Sequence, residues 1–182
     1  MTPAWFASLP NFITIGRLVL TPAAISLIVE RQWSAAFLLF AVAGLSDAVD
    51  GWLARTFSLQ SELGAILDPI ADKALIVSMY VTLSIVDALP AWLAIMVVFR
   101  DIMITGAVSL SWLMGRPMIV RPHFSSKATT AAQLAFAGVV LAAQAYGLHS
   151  PRLNVTLIAV VAALTVASAC VYLWRWVQHM RL

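Results

Sequence analysis

Four aspartates in the stretch "SDAVDGWLARTFSLQSELGAILDPIADK", residues 46–73, have a spacing suited to chemistry. Asp47 and Asp50 stand three residues apart and Asp68 and Asp72 four apart, so on helices each pair projects from one face. Gly51 and Ala54 share the first face, and Gly64 lies one turn before Asp68 on the second. Small residues therefore leave room beside both pairs. If antiparallel helices bring the faces together, four carboxylates converge, and burial and mutual repulsion oppose their ionisation unless cations arrive. An all-oxygen ligand set selects Mg²⁺ or Mn²⁺ over zinc, and two such ions about 4 Å apart would clamp a phosphoryl group. The plainer reading of any one D-x-x-D pair is a solvated loop, and a single pair does not separate the two.

The elements that must hold these carboxylates are greasy. With 62% hydrophobic and only 10% charged residues in 182, the chain lies outside the range of soluble domains and is predicted to be an integral membrane protein. A hydrocarbon core of roughly 30 Å needs about 20 helical residues. That length is met six times, over residues 11–30, 33–55, 68–87, 90–114, 126–147 and 153–177. The predicted fold is all-α: a polytopic membrane protein with six transmembrane helices in a compact bundle, preceded by a short N-terminal interfacial segment and forming one domain over 1–182. Separators such as "DALP", "GRPMIVRP" and "GLHSPR" carry turn signals. Such short loops imply that consecutive helices are antiparallel neighbours. The opening "MTPAWFASLPN" has no Lys or Arg and no cleavage pattern follows it, so no cleaved signal peptide is expected.

Basic residues set the expected orientation. With both termini cytoplasmic, the inner side receives Arg55, Arg116, Arg121, Lys127, Arg175 and Arg181, and the outer loops only Arg31 and Arg152. The acidic stretch then sits at the cytoplasmic face. The net charge of +3 partly reflects this bias and gives no argument for nucleic acid.

Other polar residues interrupt the apolar spans. Asn11, Thr14 and Arg17 fall at three-residue steps, either as an interfacial cap with a snorkelling Arg or as a ligand-facing stripe. Arg100 and Asp101 in "MVVFRDIMI" lie mid-membrane, as a structural ion pair or as a cavity-facing Arg for an anionic acceptor. In "GRPMIVRPHFSSKATTAAQ", Gly115 and Pro117 end the fourth helix and Ser125 or Ser126 would cap the fifth. Lys127 then occupies a first turn, where the macrodipole disfavours a cation. A phosphate held by Arg121, Lys127 and free N–H groups would account for it, as would attraction to anionic headgroups. The Trp residues near span ends make an aromatic belt. Cys170 reads as a small core residue, and His123, His149 and His179 have no metal-ligand spacing.

The full pattern D-x2-D-G-x2-A-R-x8-G-x3-D-x3-D is filled without departure by Asp47, Asp50, Gly51, Ala54, Arg55, Gly64, Asp68 and Asp72. It resembles the signature of the CDP-alcohol phosphatidyltransferases, membrane enzymes that exchange CMP on a CDP-linked lipid for an acceptor alcohol. The resemblance implies that Asp47, Asp50, Asp68 and Asp72 hold two divalent cations and that Asp72 is also the base for the acceptor hydroxyl. It implies that Asp50, Gly51, Ala54, Arg55 and Gly64 shape the CDP site. The N-x2-T-x2-R stripe is similar to the start of the glycerophospholipid-synthesising members and adds Asn11 and Thr14 to that site. Family members also pair as homodimers.

Arg17, Arg100, Arg121 and Lys127 are then candidates for an acceptor phosphate, which favours phosphatidylglycerol or glycerol 3-phosphate over choline or ethanolamine. "RDIMITGAVS" and "VRPHFSSKATTAAQ" look most like the members that make cardiolipin and CMP from CDP-diacylglycerol and phosphatidylglycerol. The alternative is phosphatidylglycerophosphate synthesis, whose enzymes more often carry Glu where Asp101 stands. A reading from another class is an ion-coupled transporter, which also pairs carboxylates across helices. The acidic residues here gather at one face, not the midplane, and the chain shows no matching halves.

Overall fold

The computed structural model describes the backbone of residues 4–57, 62–115, 124–148 and 150–181, and the side chains of 15–46, 70–115, 126–148 and 150–179. These residues form six α-helices, α1 (Ala4–Val29), α2 (Trp33–Phe57), α3 (Glu62–Ile85), α4 (Ala91–Leu113), α5 (Phe124–Tyr146) and α6 (Pro151–Arg181). The short N-terminal segment is not a separate element: its residues from Ala4 onward are the first turns of α1. By length and composition Ala91–Leu113, Ser126–Tyr146 and Pro151–His179 suffice to cross a membrane, while Ile15–Val29 and Trp33–Ser46 are shorter apolar stretches.

Local chemistry ends the helices where the turn signals stand. Gly115 (φ 68°) and Gly147 (φ 69°) take the left-handed conformation just past α4 and α5, the position where an absent Cβ removes the steric penalty. Leu148 N–H then donates back to the Ala143 carbonyl at 3.1 Å. The other two turns use residues that do carry a Cβ, Arg31 (φ 58°) after α1 and Asp87 (φ 61°) after α3. Return bonds close both turns, from Gln32 N–H to the Leu27 carbonyl at 2.8 Å and from Ala88 N–H to the Leu83 carbonyl at 2.8 Å. Pro90 opens α4 with an extended backbone and its carbonyl accepts from Leu93 N–H at 3.0 Å, a start that needs no N–H from the proline itself.

The helices pair as three hairpins, α1–α2, α3–α4 and α5–α6. Their turns gather at one end: Phe37 meets Tyr146 edge-on at a centroid distance of 5.8 Å, and Ala88 lines a cavity with Gln144, Leu148 and Ser150. Close backbone approaches run α1–α2, α2–α5, α5–α6, α6–α4, α4–α3 and α3–α1, which closes a ring, and α3 also meets α5 across it. Sequence neighbours α2 and α3, and α4 and α5, make no such approach among the described residues. The expectation that consecutive helices pack together thus holds within each hairpin, while the stretches that would join α2 to α3 and α4 to α5 lie largely outside the described residues. Among the described residues α1 lies beside both α2 and α3, and α6 beside both α4 and α5.

The apolar core occupies the turn end, built from Ile28, Phe40, Met79, Tyr80, Leu83, Leu93, Val97, Phe136 and Leu141. One close approach there needs glycine. A Cβ on Gly138 of α5 would sit 3.3 Å from Cε1 of Phe40 on α2, tighter than ordinary van der Waals contact. Without a hydrophobic driving force between helices in lipid, hydrogen bonds join shape in fixing their partners. Tyr80 donates to the Gln133 carbonyl at 3.0 Å, Gln133 Nε2 to Thr165 Oγ1 at 3.0 Å, and Trp176 Nε1 to the Ala107 carbonyl at 3.1 Å and Ser111 Oγ at 3.0 Å. These bonds stitch α3 to α5, α5 to α6 and α6 to α4.

Candidate functional site

Towards the opposite end the interior turns polar. A cavity of about 180 Å³ opens between α3, α4 and α5, lined by Asp72, Lys73, Ile76, Arg100, Asp101, Ile104, Ser126 and Thr130. At a rise of 1.5 Å per residue, Arg100 lies about 14 Å from the start of α4 and Asp72 about 20 Å from the end of α3. The cavity is therefore deep in the bundle as measured from the turn end.

Asp72 is the one motif carboxylate whose side chain is described. It is half-exposed and accepts from Arg17 Nη1 of α1, whose side chain is only 3% exposed. That burial excludes a snorkelling interfacial Arg and leaves the inward-facing reading. Thr21 Oγ1 donates to the Arg17 carbonyl at 2.9 Å, one turn further along the same helix. The pair links residues 55 apart in sequence, and α1, packed against both α2 and α3, is the element that delivers it.

Arg100 and Asp101 form the ion pair that their adjacency suggested, with Nη1 2.6 Å from Asp101 Oδ1 and both side chains buried. Arg100 Nη2 also donates to Ser126 Oγ of α5 at 2.8 Å and to Ser168 Oγ of α6 at 2.9 Å. One guanidinium thus braces three helices, and Arg100 also lines the cavity. Its buried Nε has no hydrogen-bond partner. Ser125 or Ser126 was expected to cap α5. The helix instead begins at Phe124, so Ser126 sits inside the first turn, where its hydroxyl serves Arg100.

Two residues of this polar cluster, Lys73 in the cavity lining and Ser168 on Arg100, were missed from sequence. Lys73 Nζ donates to Thr105 Oγ1 of α4, which itself donates to the Asp101 carbonyl at 2.8 Å. The available signal was a lysine inside an otherwise apolar run directly after Asp72, which by membrane energetics marks a functional position. Ser168 in "VASAC" had no signal, because a lone serine in an apolar helix is common.

The predicted residues come together only in part. Arg100 and Asp72 line the cavity, and Arg17 touches it through Asp72. Lys127, in the first turn of α5 as expected, is exposed and outside the lining. The side chains of Asn11, Thr14, Asp47, Asp50, Gly51, Ala54, Arg55, Gly64 and Asp68, and all of Arg121, lie outside the described residues. Among the described residues no cluster of three or more metal-ligating side chains occurs. The backbone does place positions 47 and 50 in α2 and positions 68 and 72 in α3, as the spacing required.

Comparison with known proteins agrees with this arrangement. The family model described as CDP-alcohol phosphatidyltransferase matches residues 7–172. A human protein named cardiolipin synthase (CMP-forming) is 36% identical over 155 residues, covering 76% of this chain and 52% of its own length. The rat protein of the same name is 35% identical over 155 residues, again covering 76% of this chain, with 51% of its own. A rice chloroplast CDP-diacylglycerol--glycerol-3-phosphate 3-phosphatidyltransferase is 33% identical over 185 residues, covering 92% of this chain and 56% of its own length. The chain spans about half the length of these curated relatives. A helical membrane bundle carrying the aspartate motif, a cavity lined by charged side chains beside its last aspartate, and a family match over nearly the whole sequence lead to one conclusion: the chain belongs to the CDP-alcohol phosphatidyltransferase family.

Proposed function

We propose that this protein moves the phosphatidyl group of CDP-diacylglycerol to a hydroxyl of phosphatidylglycerol, giving cardiolipin and CMP. The observation that carries the reading is the cavity that joins Asp72 to buried cations. A carboxylate on one wall suits a proton acceptor, and Arg100 on the other suits an anionic acceptor. Asp47, Asp50, Asp68 and Asp72 would hold two divalent cations, Mg²⁺ or Mn²⁺. The all-oxygen character of this set fits such ions, which would neutralise charge on the pyrophosphate as CMP departs. Asn11, Thr14, Asp50, Gly51, Ala54, Arg55 and Gly64 would form the CDP site. The small residues would let the nucleotide approach the backbone, and Arg55 would donate to the pyrophosphate.

Asp72 would take the proton from the acceptor hydroxyl, and the resulting oxygen would attack the phosphorus that bears the diacylglycerol. Arg17, already on the Asp72 carboxylate, would orient it. Arg100, Arg121 and Lys127, with Arg17, would attract the acceptor phosphate, Lys127 from the first turn of α5. The protein would act as a homodimer in a single multi-pass domain, with both termini and the site on the cytoplasmic face, as its basic residues favour.

A second reading is phosphatidylglycerophosphate synthesis from glycerol 3-phosphate. It is favoured by the likeness to the rice protein over 92% of this chain. The transporter reading has no support from the family match.

The deciding experiment gives the purified protein CDP-diacylglycerol with Mg²⁺ or Mn²⁺ and measures CMP. Release is expected with phosphatidylglycerol, and little with glycerol 3-phosphate. The reverse preference would transfer the protein to the second reading, and no release with any acceptor alcohol would sink the enzyme reading.

A further inference from the structure

The charges around the cavity do not balance in pairs. Asp72 is met by Arg17 and Asp101 by Arg100. Lys73, which the charges of Asp101 and Arg100 also face, has among the described residues a neutral hydrogen-bond partner, the hydroxyl of Thr105. An ammonium carries three donors, and this bond uses one. Lys73 lies in α3 one residue from the proposed base and lines the same cavity as Asp72, Arg100, Ser126 and Thr130. A half-buried cation within a membrane bundle, held by a hydroxyl and facing a polar cavity, is placed to receive an anion. Arg100 is less free to do so. Its guanidinium already serves Asp101, Ser126 and Ser168.

We infer that Lys73 is a further contact for the anionic phosphate of the acceptor alcohol in this cavity, beside Arg100 on the same lining. The inference rests on the transferase reading above and adds a residue to it. Position supports the role: a phosphate gripped beside Asp72 leaves its attached alcohol next to the carboxylate that takes its proton. Phosphatidylglycerol and glycerol 3-phosphate share this phosphate chemistry, as a diester and a monoester. Thr105 holds the ammonium until the acceptor arrives, and the Asp101 carbonyl fixes Thr105 in turn.

The test uses the full chain in mixed micelles, with Lys73→Met, which keeps the stem and removes the charge, and Lys73→Arg, which keeps the charge. CMP release is measured while phosphatidylglycerol, glycerol 3-phosphate or CDP-diacylglycerol is varied. Lys73→Met should raise KM for the preferred acceptor by about tenfold or more, the size of a lost charged hydrogen bond. KM for CDP-diacylglycerol should stay within about twofold, and Lys73→Arg should recover most of the loss. The acceptor whose KM moves identifies the source of the phosphate.

A second measurement needs no turnover: the thermal shift of the wild-type protein with glycerophosphoglycerol or glycerol 3-phosphate. It should disappear in Lys73→Met and persist in Lys73→Arg. Equal rises in both KM values, a fall in kcat alone, or a shift unchanged in Lys73→Met would overturn the assignment. If the wild type releases no CMP but the thermal shift still depends on Lys73, the phosphate site stands and the transferase reading fails.

Discussion

Replacing Arg100 by Met should destabilise the bundle far more than the loss of one surface charge. The guanidinium is buried and bonds at 2.6 Å to Asp101, 2.8 Å to Ser126 and 2.9 Å to Ser168. Removing it leaves Asp101, whose side chain is 6% exposed, without its counter-ion, and breaking a buried pair in this way costs about 3–5 kcal/mol. Part of that cost belongs to the stranded carboxylate, so Arg100→Met combined with Asp101→Leu should recover about 1–3 kcal/mol of it. Unfolding by SDS in mixed micelles, followed through tryptophan emission, gives the comparison. Trp176 is a suitable reporter because its indole bonds across to Ala107 and Ser111 of α4. A cost below about 1 kcal/mol for Arg100→Met, or strictly additive effects in the double variant, would refute the brace. Activity alone would not serve, since Arg100 also lines the proposed acceptor cavity.

Asp72→Asn should lower turnover by about 100-fold or more while leaving CDP-diacylglycerol binding within a few fold in an equilibrium binding assay. Equal losses would make Asp72 a metal ligand only. Chelation should abolish CMP release, with Mg²⁺ or Mn²⁺ restoring it and Zn²⁺ failing, because the proposed ligands are all oxygen; activity that survives chelation would remove the metals from the reaction. Arg31→Gly and Asp87→Gly each relieve a left-handed backbone worth about 1–2 kcal/mol, partly offset by the extra freedom of glycine in the unfolded chain. Each should therefore raise thermal stability in detergent by up to about 1 kcal/mol, and a fall in stability would show that the side chains at these turns contribute more than the strain.

Helix number and type were legible in the sequence because apolar runs of about 20 residues satisfy their own backbone hydrogen bonds in lipid. Gly115 and Gly147 marked two helix ends for a local reason, the left-handed position that follows a helix. Family membership was equally local, since the eight signature positions from Asp47 to Asp72 are close in sequence. Tertiary structure decided who meets whom. Lipid tails are as apolar as leucine, so an evenly apolar helix does not encode which of its faces packs. The ring order α1–α2–α5–α6–α4–α3, the reach of Arg17 to Asp72 across 55 residues, and the reach of Arg100 to Ser168 across 68 follow from cooperative packing of all six helices. So does the place of Lys73, which in sequence is a lysine in an apolar run and in the fold is the cavity cation that hydrogen-bonds a hydroxyl while Arg17 and Arg100 meet carboxylates.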